Sequence, residues 1–138
     1  MKPKLIPYLN FSGNTKDAME FYQSVLGGEL KMQTFGESGM PVNDEDKDKI
    51  IHASLDNDTL TFMASDGNSE HPVQMGDNVQ LSIVGENLEL LTKYFNGLSE
   101  GGKIDMPLEK QFWGDSYGQF TDKFGIHWSV NISAIPQE

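Results

Sequence analysis

The strongest constraint on this chain is that one pattern of elements occurs in it twice. Asn14 opens a helical pattern in which Ala18, Met19, Phe21, Tyr22, Val25 and Leu26 recur at spacings of three and four, and Gly27-Gly28 stops it. About 73 residues later Asn87 opens a second pattern with Leu88, Leu90, Leu91, Tyr94, Phe95 and Leu98, and Gly101-Gly102 stops that one. Each helix follows one extended segment and precedes three more. In the first copy these segments are 5–11, then 30–35, 50–55 and 60–65, with a polar loop to about 49 and a turn at Asp56-Asn57-Asp58-Thr59. In the second they are 79–84, then 103–106 continuing irregularly towards Trp113, 117–122 and 126–133, the last two joined by Lys123-Phe124-Gly125. The order predicts an α+β fold in a single domain, with two tandem βαβββ units at about 1–66 and 78–135 joined by a loop at 67–77.

Period-two alternation assigns the faces. Leu9, Phe11, Ile51, Ala53, Leu55, Leu81, Ile83, Trp128, Val130 and Ile132 form the apolar set expected under the helices. The opposite set is Tyr8, Asn10, His52, Ser54, Thr61, Met63, Gln80, Ser82, His127, Ser129 and Asn131. It is too polar for a dry core and too rich in large groups for idle surface. A curved mixed sheet around a cup-shaped cavity lined by these residues is therefore expected.

Composition narrows the function classes. The 138 residues hold 21 acidic and 10 basic side chains, a formal charge of −11, so the field of the protein repels phosphate backbones and anionic lipids. Neither nucleic acid nor membrane is an expected partner. Cysteine is absent, which removes disulfides, thiolate metal sites and cysteine nucleophiles together. Nothing at the N-terminus resembles a charged segment followed by an apolar signal core, and a cytoplasmic location is expected. The acidic run from Asn43 to Lys49 lacks the Gly and Glu of a calcium loop and reads as solvated. No nucleophile elbow, phosphate-binding loop or dinucleotide fingerprint is present, and no cofactor is expected.

The paired βαβββ order, with "IPYLNFSGN", "AMEFYQSVLGGEL", "IIHASL" and "EGGKIDMPLEKQFWGDSYGQFTDKFGIHWSVNI", resembles the glyoxalase, bleomycin-resistance and extradiol-dioxygenase (vicinal oxygen chelate) superfamily, and within it the PhnB-like branch. The resemblance runs over almost the whole chain. It implies a cup that in many relatives holds a divalent metal through one His or Glu from each of four strands. Carried onto this sequence, those positions are Tyr8, Met63, Gln80 and Ser129, none of them His, Asp or Glu. The methyltransferase label borne by some PhnB-like chains finds no glycine-rich cofactor loop here.

Two readings stand. The first is a metal-free small-molecule binding protein whose ligand contacts Tyr8, Asn10, His52, Gln80, Trp113, His127, Ser129 and Asn131. The second is a metal-dependent lyase, transferase or dioxygenase with an atypical site on His52 and His127; Asp105 and Asp115, the nearest carboxylates in sequence, have no clear facing. Phe112 and Phe120 are expected in the core, Trp113 beside Gly114 as a wall for a flat ligand, and His71 in an exposed loop. The resemblance further implies a homodimer. The uncharged opening Leu5-Ile6-Pro7-Tyr8-Leu9 and the apolar Ile135-Pro136 after the last strand agree with it.

Overall fold

The computed structural model describes residues 2–67 and 72–134. In the first half lie β1 (Tyr8–Phe11), α1 (Thr15–Leu26), β2 (Glu29–Thr34), the single-turn α2 (Phe35–Ser38), a 3-10 turn at Asp44–Asp46, β3 (Ile50–Asn57) and β4 (Leu60–Asp66). In the second lie β5 (Leu81–Gly85), α3 (Leu88–Ser99), β6 (Lys103–Lys110), β7 (Ser116–Thr121) and β8 (His127–Ile132). Contacts divide the chain into two units, Met1–Gln74 and Met75–Glu138. The first has a sheet of order β1-β4-β3-β2 and the second a sheet of order β5-β8-β7-β6. In each, the opening strand runs parallel to its neighbour and the other pairs are antiparallel. The fold is thus α+β, two tandem βαβββ units. His71 and the Ile135-Pro136 extension lie outside the described residues.

The repeat extends to the packing of the helices. α1 buries Ala18, Met19, Tyr22 and Leu26, and α3 buries Leu91, Phe95 and Leu98. Tyr22 meets Phe62 of β4 edge-on at 5.6 Å, and its counterpart Phe95 meets Phe120 of β7 edge-on at 5.0 Å. Phe120 in turn stacks on Trp128, the rings 9° from parallel. Leu88 and Leu90, which the helical spacing groups with the apolar face, stay exposed at the start of α3.

Several boundaries differ from the sequence pattern, each for a local reason. β1 starts at Tyr8 rather than residue 5, because Pro3 and Pro7 have no N–H for a ladder, and Leu5 is fully exposed. β5 starts at Leu81, leaving Val79 and Gln80 exposed ahead of it. β6 runs on to Lys110 with register shifts on either side of Met106, where Pro107 interrupts the donors. Phe35 leaves β2 to open α2 and is buried there. Thr34 accepts from the Glu37 N–H at 3.1 Å, and the Glu37 carboxylate accepts from the Thr34 N–H at 3.0 Å. Those bonds, the backbone one foremost, hold the Glu37 carboxyl below its usual range.

One buried carboxylate fixes a local turn in each unit. Asn14 makes no side-chain cap to α1. Asp66, at the end of β4, takes over: its Oδ1 accepts from the Gly13 N–H, the Thr15 N–H and the Thr15 hydroxyl at 2.6–3.0 Å, and its Oδ2 from the Ile50 N–H at 2.8 Å. In the second unit Asp122 accepts from the N–H groups of Phe124 and Ile126 and from Trp128 Nε1 at 2.8 Å, which shapes the turn into β8. The second glycine of each helix-ending pair lies against a hairpin. A Cβ on Gly28 would sit 2.6 Å from the Asp56 carbonyl oxygen, and one on Gly102 would overlap the Thr121 carbonyl oxygen.

Removing the Asp66 carboxylate strands one hydroxyl and three backbone N–H donors, one just before α1 and one on its first residue. Asp66→Ala is expected to cost about 3 kcal/mol in urea-induced unfolding. Gly102→Ala is expected to cost about 2 kcal/mol, because rigid backbone rather than a flexible side chain must move. The denaturation midpoint checks both, and a loss for either below about 0.5 kcal/mol contradicts the packing described.

Candidate functional site

In the second unit α3 covers one face of the sheet, and alternation sends Tyr117, Gln119 and Thr121 of β7 and His127, Ser129 and Asn131 of β8 to the other. The pairs Tyr117 with Asn131, Gln119 with Ser129 and Thr121 with His127 are in register. At the His127 end lies a pocket of about 270 Å³. Asp77, Asn78, Gln80, Asp105, Gln119 and His127 supply its polar groups, and Val79, Phe120 and Trp128 complete its lining. It lies entirely within this unit.

A hydrogen-bond chain runs through the wall of the pocket. Thr121 Oγ1 is 2.8 Å from Asp105 Oδ2 and 2.9 Å from His127 Nδ1. A hydroxyl has one proton, and an ionised carboxylate can only accept. Thr121 therefore donates to Asp105 and accepts from the His127 Nδ1–H, an assignment made by the network. In the neutral imidazole this leaves Nε2 as the acceptor. Asp105 is further placed by Lys103, whose Nζ lies 3.8 Å from the second carboxylate oxygen. Gln119 Nε2 donates to the Tyr117 hydroxyl at 2.9 Å, which leaves its carbonyl oxygen for another partner.

The residues marked in the sequence fall into two groups. Gln80 and His127 meet in the pocket of the second unit. Ser129 and Asn131 continue the same face along β8, Ser129 hydrogen-bonded to Ser82 at 2.6 Å and Asn131 Nδ2 to Asp115 at 3.1 Å. Trp113 sits in the β6–β7 connection, half-exposed, with its ring 6.2 Å from Tyr117. Phe112 is not in the core as expected. It is 97% exposed, because the bonds from Gln111 N–H to the Asp115 carbonyl and from Gly114 N–H to the Gln111 carbonyl close a tight turn that leaves its side chain outside. Tyr8, Asn10 and His52 lie on the sheet of the first unit, where the Tyr8 hydroxyl is 3.0 Å from His52 Nδ1 and Ser65 Oγ is 3.4 Å from Asn10 Oδ1.

Asp105, Thr121, Gln119, Asp77 and Asn78 were not marked as site residues. Thr121 and Gln119 share the parity of Tyr117 and were legible as face residues. The irregular register of β6 hid the facing of Asp105.

Tyr8, Met63, Gln80 and Ser129, the positions to which the resemblance carries a metal site, present a phenol, a thioether, an amide and a hydroxyl. These are weak ligands for a divalent ion. The Tyr8 hydroxyl is engaged with His52, and the Ser129 hydroxyl with Ser82. Among the described residues, no group of three or more His, Asp or Glu side chains stands close enough to hold a metal. This donor set does not fit the metal centre of the family.

Known proteins agree with the repeat and its topology. The model of the glyoxalase/bleomycin resistance protein/dioxygenase superfamily matches residues 5–130. Protein YjdN of Escherichia coli is 32% identical over 93% of this chain and 94% of its own length. The crystal structure of PA1353 from Pseudomonas aeruginosa has 39% identity and a TM-score of 0.87, covering 96% of this chain and 98% of that one. A PhnB protein from Bacillus cereus superposes with a TM-score of 0.73 at 24% identity, over 95% of this chain and all of its own. With a family model spanning nearly all of it, and two βαβββ units of identical strand order, the chain belongs to the glyoxalase/bleomycin resistance protein/dioxygenase superfamily.

Proposed function

We propose that the protein binds a small organic molecule without a metal, in the pocket of its second unit. The observation that carries this reading is the pocket itself, whose lining gathers His127, Gln80, Gln119 and Asn78. Its volume of about 270 Å³ lies near the lower end of the range for ligand sites and suits a small molecule rather than a drug-sized one. Asn131 and Trp113 extend the same unit's surface for larger ligands, whereas Ser129, expected as a ligand contact, is buried and bonded to Ser82. The protein is further proposed to act as a homodimer. Support comes from its open sheet edges at β1, β2, β5 and β6 and from exposed apolar groups such as Val84 and Phe112. Among the described residues no helix is long and apolar enough to cross a membrane.

A thermal-shift screen over cationic antibiotics, dicarbonyl–thiol adducts, phosphonates and quinones tests the binding reading. A ligand at 100 times its Kd is expected to stabilise the protein by about 2.7 kcal/mol. Silence across all four classes counts against the reading. So does stoichiometric Zn, Mn, Ni or Fe, in protein purified without chelator, that is lost in a His52→Ala, His127→Ala double variant. Sedimentation velocity at micromolar concentration is expected to show a dimer, and a strict monomer with and without ligand ends that part of the proposal.

A further inference from the structure

Resting on the reading that this pocket takes a small molecule, we infer that its ligand is a primary or secondary ammonium and that His127 Nε2 accepts a hydrogen bond from one of its N–H groups. The Asp105–Thr121–His127 chain holds the imidazole with its proton on Nδ1. Nε2 has no hydrogen-bond partner among the described residues, so the lone pair of a pocket-lining histidine is left for the ligand. Thr121 and Asp105 are positioning residues in this scheme, since they act on the ligand only through His127.

Charge selects the ligand class. Asp77 and Asp105 line the pocket, and neither Lys nor Arg does. Lys103 touches only the far oxygen of Asp105, and its side chain is largely exposed. An acid that became anionic on giving up its proton would place a new negative charge beside two carboxylates. An ammonium does the reverse and brings a positive charge beside them. One of its N–H groups donates to Nε2 and the proton stays on the ligand nitrogen, because an alkylammonium is a far weaker acid than an imidazolium; no bond breaks. The free carbonyl oxygen of Gln119 and the amide oxygens of Gln80 and Asn78 offer acceptors for its other N–H groups.

The test uses three probes of one shape on the full chain: benzylamine, benzyl alcohol and benzoate, titrated while the ring nitrogens of His127 are followed by ¹⁵N NMR. Benzylamine, as its ammonium, is expected to bind best and to shift the Nε2 resonance as a hydrogen-bond acceptor while it stays unprotonated. Thr121→Val is expected to weaken it by about tenfold and Thr121→Ser to restore it, since serine keeps the hydroxyl without the methyl. Benzoate binding as well as benzylamine overturns the inference, as does benzylamine binding with unchanged His127 nitrogens and no loss in Thr121→Val. If none of the probes binds while another compound perturbs Gln80 and Gln119, the inference fails and the small-molecule reading stands. If no compound of any class binds, both fail.

Discussion

Each sheet in this protein packs against one helix of twelve residues, and a helix of that length can cover only one face of four strands. From that constraint follows the division of the strands into a row under the helix and an opposite, more polar row. The buried row is anchored where an aromatic from the helix meets an aromatic from a strand, Tyr22 on Phe62 and Phe95 on Phe120. Burial of such rings contributes about 2 kcal/mol or more apiece and makes any one-residue slip of register costly, because a slip would turn the whole row to water. The opposite row is thereby held at a known spacing. It can carry polar groups without weakening the core.

The two units meet this constraint with different local chemistry. The start of α3 is capped by its own Asn87, whose side chain accepts from the Leu90 N–H, whereas α1 depends on Asp66 from the end of β4. Asp66 ties the first turn of the helix to β4 and, through Ile50, to β3. In the second unit the buried carboxylate is Asp122, and it organises the β7–β8 turn instead. The pocket lies beside that turn. His127 follows the turn immediately, so the geometry that seats Trp128 against Asp122 also sets the imidazole opposite Thr121.

Much of this was legible in the residues. The repeat, both helices and the facing of Tyr8, His52, His127 and Asn131 follow from spacing alone, since helix and strand periods are set by backbone geometry. The short α2 was legible in principle, because Thr34-Phe35-Gly36-Glu37 is a capping-box pattern, but it read as loop beside the stronger strand signal. Phe112 was misplaced because apolar character was read as burial, while the turn closed by Gln111 and Asp115 decided otherwise. The Asp105–Thr121–His127 chain was not legible. β6 carries two register shifts, and each shift changes which residues stand opposite each other without leaving a mark in the residue pattern.

The sequence by itself determined the two βαβββ units and the side of each strand that packs under a helix. These are properties of residue type and of periods that hold within one element. Tertiary structure alone decided which polar side chains share a pocket, which nitrogen of His127 meets Thr121, and which carboxylate caps α1. Those outcomes depend on contacts between residues far apart in the chain, and a hydrogen bond is made or lost within a few tenths of an ångström, finer than any pattern of residue types can specify.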